Sequence, residues 1–239
     1  SSPSAGGRTT STSPSSVIGI RRWTIEAAWW GRADRTSVRI LHVGATGLIG
    51  EAVASALEAA GHDVVRVGRS SGDHTVDLGS KASIEALYGQ AGKVDAVVCT
   101  AGVAAFGPVD ELDDAAYARS IANKLMGQVN LVRVGVGKVA GGGSFTLTTG
   151  TLTTSPNPGT AAVAMVGGAL EAFVRAAALD LEGLYRVNVV SPGWVAESRE
   201  QAGLDPEPGI WAADLAEYYV RFVDGDQNGI VAEAESALD

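Results

Sequence analysis

The stretch Val38-Arg39-Ile40-Leu41-His42-Val43-Gly44-Ala45-Thr46-Gly47-Leu48-Ile49-Gly50 runs from an extended apolar segment, through closely spaced glycines, into an amphipathic one. Val38 to Val43 reads as a strand. Leu48 to Ala60 reads as a helix, because Ile49, Val53 and Leu57 recur at helical spacing and Gly61 ends the pattern. Between them Gly44 permits a tight turn, Gly47 lets the backbone approach a diphosphate, and Gly50 lets the helix lie close to the strand. The N-terminus of the helix then attracts the phosphate charge. The segment Gly44, Ala45, Thr46, Gly47, Leu48, Ile49 and Gly50 is therefore expected to cradle a dinucleotide, in a G-x-x-G-x-x-G variant of the usual spacing.

Outward from this turn, strands and helices alternate. Strands are expected at Asp63–Val67, Lys93–Thr100, Ser144–Thr149, Tyr185–Val190 and Gly229–Val231, with a short extended piece ending at Asp77. Helices are expected from the N-cap Ser80 to Tyr88, at about Glu111–Val139, at Ala161–Leu181 and at Trp211–Val223. Gly141-Gly142-Gly143 is read as the turn into the strand at Ser144. This order implies an α/β fold: a single Rossmann-type, doubly wound parallel sheet with helices on both faces, spanning residues 38–239.

Composition sets the limits. The chain has 239 residues, a 46% hydrophobic fraction and one cysteine, Cys99. That suits one domain with a sizeable core, without an internal disulfide, in a reducing and cytoplasmic setting. No apolar run is expected to span a bilayer. The net charge of −9 argues against a nucleic-acid surface. Residues 1–37 carry a net +3 (five Arg, two acids), so the remainder carries −12. Their Ser, Thr, Pro and Gly content marks them as a flexible leader.

The second strand ends in Val67-Gly68-Arg69-Ser70. An acid here would accept hydrogen bonds from a ribose 2′-hydroxyl; an arginine and a hydroxyl suit a 2′-phosphate instead. Arg69 and Ser70 therefore point to NADP(H).

With these motifs in order, the chain resembles the short-chain dehydrogenase/reductase family from about residue 38 to 235. The resemblance implies that Asp77 and Leu78 touch the adenine ring, and that Thr100, Ala101 and Gly102 lie beside the adenine ribose. It also implies that the turn Pro192-Gly193, with backbone groups near Val195, holds the nicotinamide carboxamide. A homodimer or homotetramer, formed through the helices near 111–139 and 161–181, follows from the same resemblance.

The departures from the family pattern bear on activity. The family's serine slot falls on Gly150, its tyrosine slot on Val163 and its lysine slot on Gly167. Lys124 stands where the family places an asparagine, with Asn123 expected to face another way. Carbonyl reduction creates an alkoxide that a placed acid must protonate, and neither valine nor glycine has a proton to give. Lys124 is the replacement candidate, as acid, base or charge partner. Thr149 and Thr151, beside the empty serine slot, are candidates for orienting a substrate carbonyl. The histidines His42, His62 and His74 lack an evident serine or carboxylate partner, and no metal-ligand spacing occurs. Three readings follow: an NADPH-dependent reductase of a small carbonyl compound with a non-standard donor, a non-redox catalyst such as a cyclase, isomerase or dehydratase, or a non-catalytic NADP(H)-binding scaffold. Trp194 and Trp211 are expected to border a short, open substrate region at Ala196–Pro208.

Overall fold

The structure is a computed structural model that describes residues 37–234. The expected leader, apart from Ser37, lies outside the described residues. The elements run in the order β1 (Arg39–Val43), α1 (Leu48–Ala59), β2 (Asp63–Gly68), β3 (His74–Thr75), α2 (Lys81–Ala91), β4 (Val94–Cys99), α3 (Asp114–Ser120), α4 (Met126–Gly135), β5 (Val139–Thr148), α5 (Ala161–Asp180), β6 (Arg186–Pro192), α6 (Ala196–Gln201), α7 (Ala212–Asp224) and β7 (Val231–Ala234). The seven strands form one sheet in the order β3-β2-β1-β4-β5-β6-β7, each pair parallel.

Both faces of the sheet are covered, which is why the central strand β4 is apolar at every position but Asp95. On one face Leu41, Val97 and Phe145 pack with Ile84 of α2, Leu131 of α4 and Leu170 of α5. On the other Ile40 and Val98 pack with Leu57 of α1 and Leu215 and Tyr219 of α7. The strand order reverses between β1 and β4, and a parallel sheet opens a crevice at the carboxyl ends of its strands at such a point.

The expected helix Glu111–Val139 is broken. It begins at Asp114, capped by the Asp113 carboxylate on the Ala116 N–H, and a π-helical turn, Ile121–Leu125, separates α3 from α4. It ends at Gly135, before Gly137 turns the chain with φ of 79°. Val139 already pairs with Val94, and the glycine run Gly141–Gly143 forms a bulge inside β5, where Ser144 pairs with Ala96. The glycines thus loop out of a strand that starts five residues before the expected Ser144. The short helix α6 was not evident in the sequence.

Two expectations are corrected. Helix α5, at 20 residues and a mean hydropathy of 1.6, is long and apolar enough by length and composition to cross a membrane. Its alanines, valines and leucines give it that hydropathy, and Ala162, Val166, Leu170 and Val174 pack it onto the sheet. His62 does have a carboxylate partner: its Nε2 lies 3.1 Å from Asp224 Oδ1, joining the start of β2 to the end of α7. The residues lie 162 positions apart, so only the fold brings them together.

Candidate functional site

The glycine turn has the geometry that its spacing implies. Gly44 has φ of 100°, and a Cβ there would stand 2.7 Å from both Ala101 N and Thr100 Oγ1. A Cβ on Gly50 would run into the Gly44 carbonyl, so α1 and the turn touch backbone to backbone. Gly44 N–H and Ala45 N–H both donate to the Val67 carbonyl, fixing the turn against β2. Gly47 is the N-cap of α1 and supplies no side-chain cap. The first N–H groups of α1 are therefore left for an external anion.

Next to this turn opens a cleft of about 610 Å³. Of the residues expected to bind a dinucleotide, Gly44, Arg69, Asp77, Leu78, Ala101 and Gly102 line it. Gly68 must be bare because Thr46 Oγ1 and the Ser71 carbonyl each lie 2.5 Å from where its Cβ would be. The Asp77 carboxylate accepts from the Gly79 N–H at 2.9 Å, which aims the loop before α2. Ala45, Thr46, Gly47, Leu48, Ile49, Gly50, Ser70 and Thr100 stand around this cleft without lining it. The lining residues missed in the sequence include Arg119, on α3, and Asn123, whose Oδ1 accepts from the Val103 N–H at 2.8 Å. The π-helical turn changes the rotation between successive residues, so the expectation that Asn123 faces elsewhere fails.

Beneath the turn lies His42, fully buried, with Nε2 3.0 Å from Thr100 Oγ1. Burial, aided by the nearby Arg66 guanidinium, lowers its pKa from 6.5 to about 3. Arg66 is itself paired with Glu51 and Glu58 of α1.

The other expected residues lie apart from this cleft, at the ends of β5 and β6. Gly150 is extended, and a Cβ there would meet only the Pro192 carbonyl, at 3.6 Å, so a side chain would fit. Gly193 N–H donates to the Ala234 carbonyl at 2.8 Å, and Val195 bridges to Ile210 before α6 begins. Trp194 and Trp211 flank that bridge and remain about half exposed.

The lysine slot is filled in an unexpected way. A Cβ on Gly167 would collide with the Thr153 methyl group, because the short 3₁₀ turn Thr151–Thr153 lies directly on α5. Thr153 Oγ1 donates at 3.0 Å to Oε1 of Glu171, one helical turn further along α5. Thr149 Oγ1 donates to the same oxygen at 3.1 Å, and Ser191 Oγ approaches it at 3.5 Å. Glu171 is 5% exposed, and its other oxygen is 3.8 Å from Arg175. The protons of Thr149 and Thr153 thus point at a carboxylate, which alters the expected role of Thr149: as arranged, it offers a ligand lone pairs rather than a donated hydrogen bond. Thr151 is buried, and its carbonyl closes the turn by accepting from Thr154 Oγ1 and Ser155 N–H.

Sequence reading missed Glu171, although a signal exists. It is an acid placed four residues after the blank lysine slot, in the middle of an otherwise apolar helix.

Lys124 sits in the π-helical turn with its alkyl stem packed over Gly102. Its carbonyl accepts from Gln128 Nε2 at 3.2 Å, and the same amide clamps both backbone groups of Thr148 at 2.9 Å, tying α4 to the end of β5. Burial pushes the Lys124 ammonium below its ordinary range, partly opposed by the Cys99 thiol. Lys124 does not line the cleft; the Gly102 backbone lies between.

A parallel sheet with a glycine-cradled cleft at its strand-order reversal defines the class of α/β dinucleotide-binding proteins. Comparison narrows it. A family model described as enoyl-(acyl carrier protein) reductase matches residues 44–221. The chain therefore belongs to the short-chain dehydrogenase/reductase family. The crystal structure of the protein lin1944 from Listeria innocua is similar with 39% identity and a TM-score of 0.79, covering 83% of this chain and all of that one. A small-chain dehydrogenase solved in complex with NADPH shares 25% identity with a TM-score of 0.74, over 84% of this chain and 98% of that one. An uncharacterized oxidoreductase of Methylorubrum extorquens is 29% identical over 156 residues, 64% of this chain. The chain spans 62% of the length of that curated relative.

Proposed function

We propose that this chain is an NADP(H)-dependent oxidoreductase acting on a small carbonyl or alcohol substrate without the family's Tyr-x-x-x-Lys pair. The observation that carries the reading is the cleft in which Arg69 stands beside the glycine turn and Asp77. The residues fit a phosphorylated dinucleotide: uncapped N–H groups of α1 face the diphosphate, and the Arg69 guanidinium meets the 2′-phosphate. Asp77 and Leu78 border the adenine, and Pro192, Gly193 and Val195 border the nicotinamide end. When bound, the nicotinamide supplies or accepts a hydride.

The chain's own residues then have distinct tasks. Lys124 packs its stem over Gly102, and burial there favours its neutral amine, so it acts as a hydrogen-bonding group rather than as a fixed positive charge. Gln128 holds the end of β5 in register with α4. The outward side of α5, with Met165, Ala169, Ala172, Ala176 and Leu179, is the surface we assign to a homodimer or homotetramer.

Calorimetric titration with NADPH and NADH tests the cofactor assignment. Arg69→Ala should weaken NADPH by tenfold or more, a loss of about 1.4 kcal/mol or greater, while leaving NADH nearly unchanged. Equal weakening of both would remove the 2′-phosphate assignment. Stopped-flow absorbance of bound NADPH against a panel of aldehydes and ketones tests the activity, with Lys124→Met as the comparison. A panel without oxidation of NADPH by any compound would overturn the oxidoreductase reading.

A further inference from the structure

The volume beside the empty lysine slot is occupied by Thr153, whose methyl group faces Gly167 and whose hydroxyl is joined to a buried carboxylate. Thr153 is partly exposed, Glu171 is buried, and 3.0 Å separates their oxygens. Thr149, buried on the same side, makes a second hydrogen bond to the same carboxylate oxygen. A buried carboxylate is costly unless it is paired or used, and its cation, Arg175, is 3.8 Å away on the oxygen that the threonines leave free. Thr153 Oγ1 also lies 3.1 Å from the Gly150 carbonyl, but the charged acceptor makes the stronger bond. Thr153 therefore stands between the region of the missing side chains, which its methyl faces, and a buried group able to hold a proton.

We propose that Thr153 is the group that exchanges a proton with the substrate, and that Glu171 is the positioning residue and proton store behind it. This rests on the oxidoreductase reading above. In the oxidising direction a substrate hydroxyl gives its proton to Thr153 Oγ1 as Thr153 passes its own to Glu171 Oε1. The substrate carbon loses its hydrogen with the electron pair to the oxidised dinucleotide, so atoms and charge balance. In the reducing direction the proton moves back along the same two oxygens, from a protonated Glu171 through Thr153 to the alkoxide, and solvent then reprotonates the carboxylate. As arranged, with the carboxylate accepting, the site is set as a base and fits the hydroxyl of an alcohol.

Two measurements decide this, one of them independent of turnover. In protein labelled with ¹³C at glutamate side chains, the carboxyl resonance missing from Glu171→Gln is that of Glu171. It should move by more than its linewidth in Thr153→Val, and again when NADPH is added to the wild type. A resonance indifferent to NADPH overturns the proposal, because the carboxylate then has no connection with the cofactor end of the site. In single-turnover absorbance assays Thr153→Val and Glu171→Gln should each slow NADPH oxidation about 10²-fold, with NADPH affinity held within about threefold. Thr153→Ser, which keeps the hydroxyl, should recover most of the rate. Equal rates for Thr153→Val and Thr153→Ser would overturn the hydroxyl's part, and the threonine pair suffices should Glu171→Gln not fold. Failure of the wild type to oxidise NADPH with any carbonyl would remove the oxidoreductase reading, leaving the carboxyl resonance to decide whether Glu171 senses the cofactor.

Discussion

Lowering the pH should destabilise this protein through one side chain, His42. It is fully buried in β1, its Nδ1 has no hydrogen-bond partner among the described residues, and its pKa falls from 6.5 to about 3. A histidine held neutral by burial contributes full stability above its unfolded pKa and loses it as pH falls towards the folded value, because only the unfolded chain takes up the proton. At pH 5 the unfolded imidazole is favoured by a factor of about 30, a loss of about 2 kcal/mol relative to pH 7.5. For a chain of this size that is a fall in Tm of roughly 4–8 °C from this residue alone. The assay is thermal unfolding by circular dichroism at pH 7.5 and pH 5, for wild type and His42→Phe. The variant has no proton to take up, so its Tm should fall less between the two pH values by about that amount. Identical pH dependence in the two proteins would refute the reasoning, and would mean that the imidazole is charged or solvated in the folded state.

Three further outcomes are expected. Gly50→Ala should destabilise the fold by about 1–3 kcal/mol in urea unfolding and weaken NADPH binding, since its Cβ would push α1 away from the Gly44 carbonyl. The double substitution Val163→Tyr with Gly167→Lys, which writes the family's residues back into α5, should lower Tm and give no gain in NADPH oxidation. Adding Thr153→Ala to it should restore stability by removing the methyl group that blocks the lysine slot. Tyr219→Phe should cost about 1 kcal/mol in chemical denaturation, because it removes one buried hydrogen bond of 2.8 Å to Thr148 Oγ1 while leaving that hydroxyl bonded to the Cys99 carbonyl.

The phosphate end of the site was legible because its requirements are local. Gly44, Gly47 and Gly50 lie within seven residues, and a turn, a helix start and a close backbone contact each demand a small residue at a fixed place. Sequence spacing also led to the expectation of empty family slots at Gly150, Val163 and Gly167. What fills the space beside them was not legible. Thr153 rests on Gly167, and Thr149 and Ser191 turn towards Glu171, only because β5, the loop after it, α5 and β6 converge there. Arg119 and Asn123 entered the cleft beside the glycine turn for a related reason: the π-helical turn rotates residues by an amount that helical periodicity does not foresee.

The sequence by itself determined the order of strands and helices and the spacing of the glycine turn, since each depends on residues near one another along the chain. Tertiary structure alone decided where the buried charges and protons sit: His62 beside Asp224, Lys124 behind Gly102, and Glu171 under two threonine hydroxyls. The physical reason is that burial and hydrogen-bond partnership are properties of contacts between distant segments, and a side chain's protonation follows its surroundings rather than its neighbours in sequence.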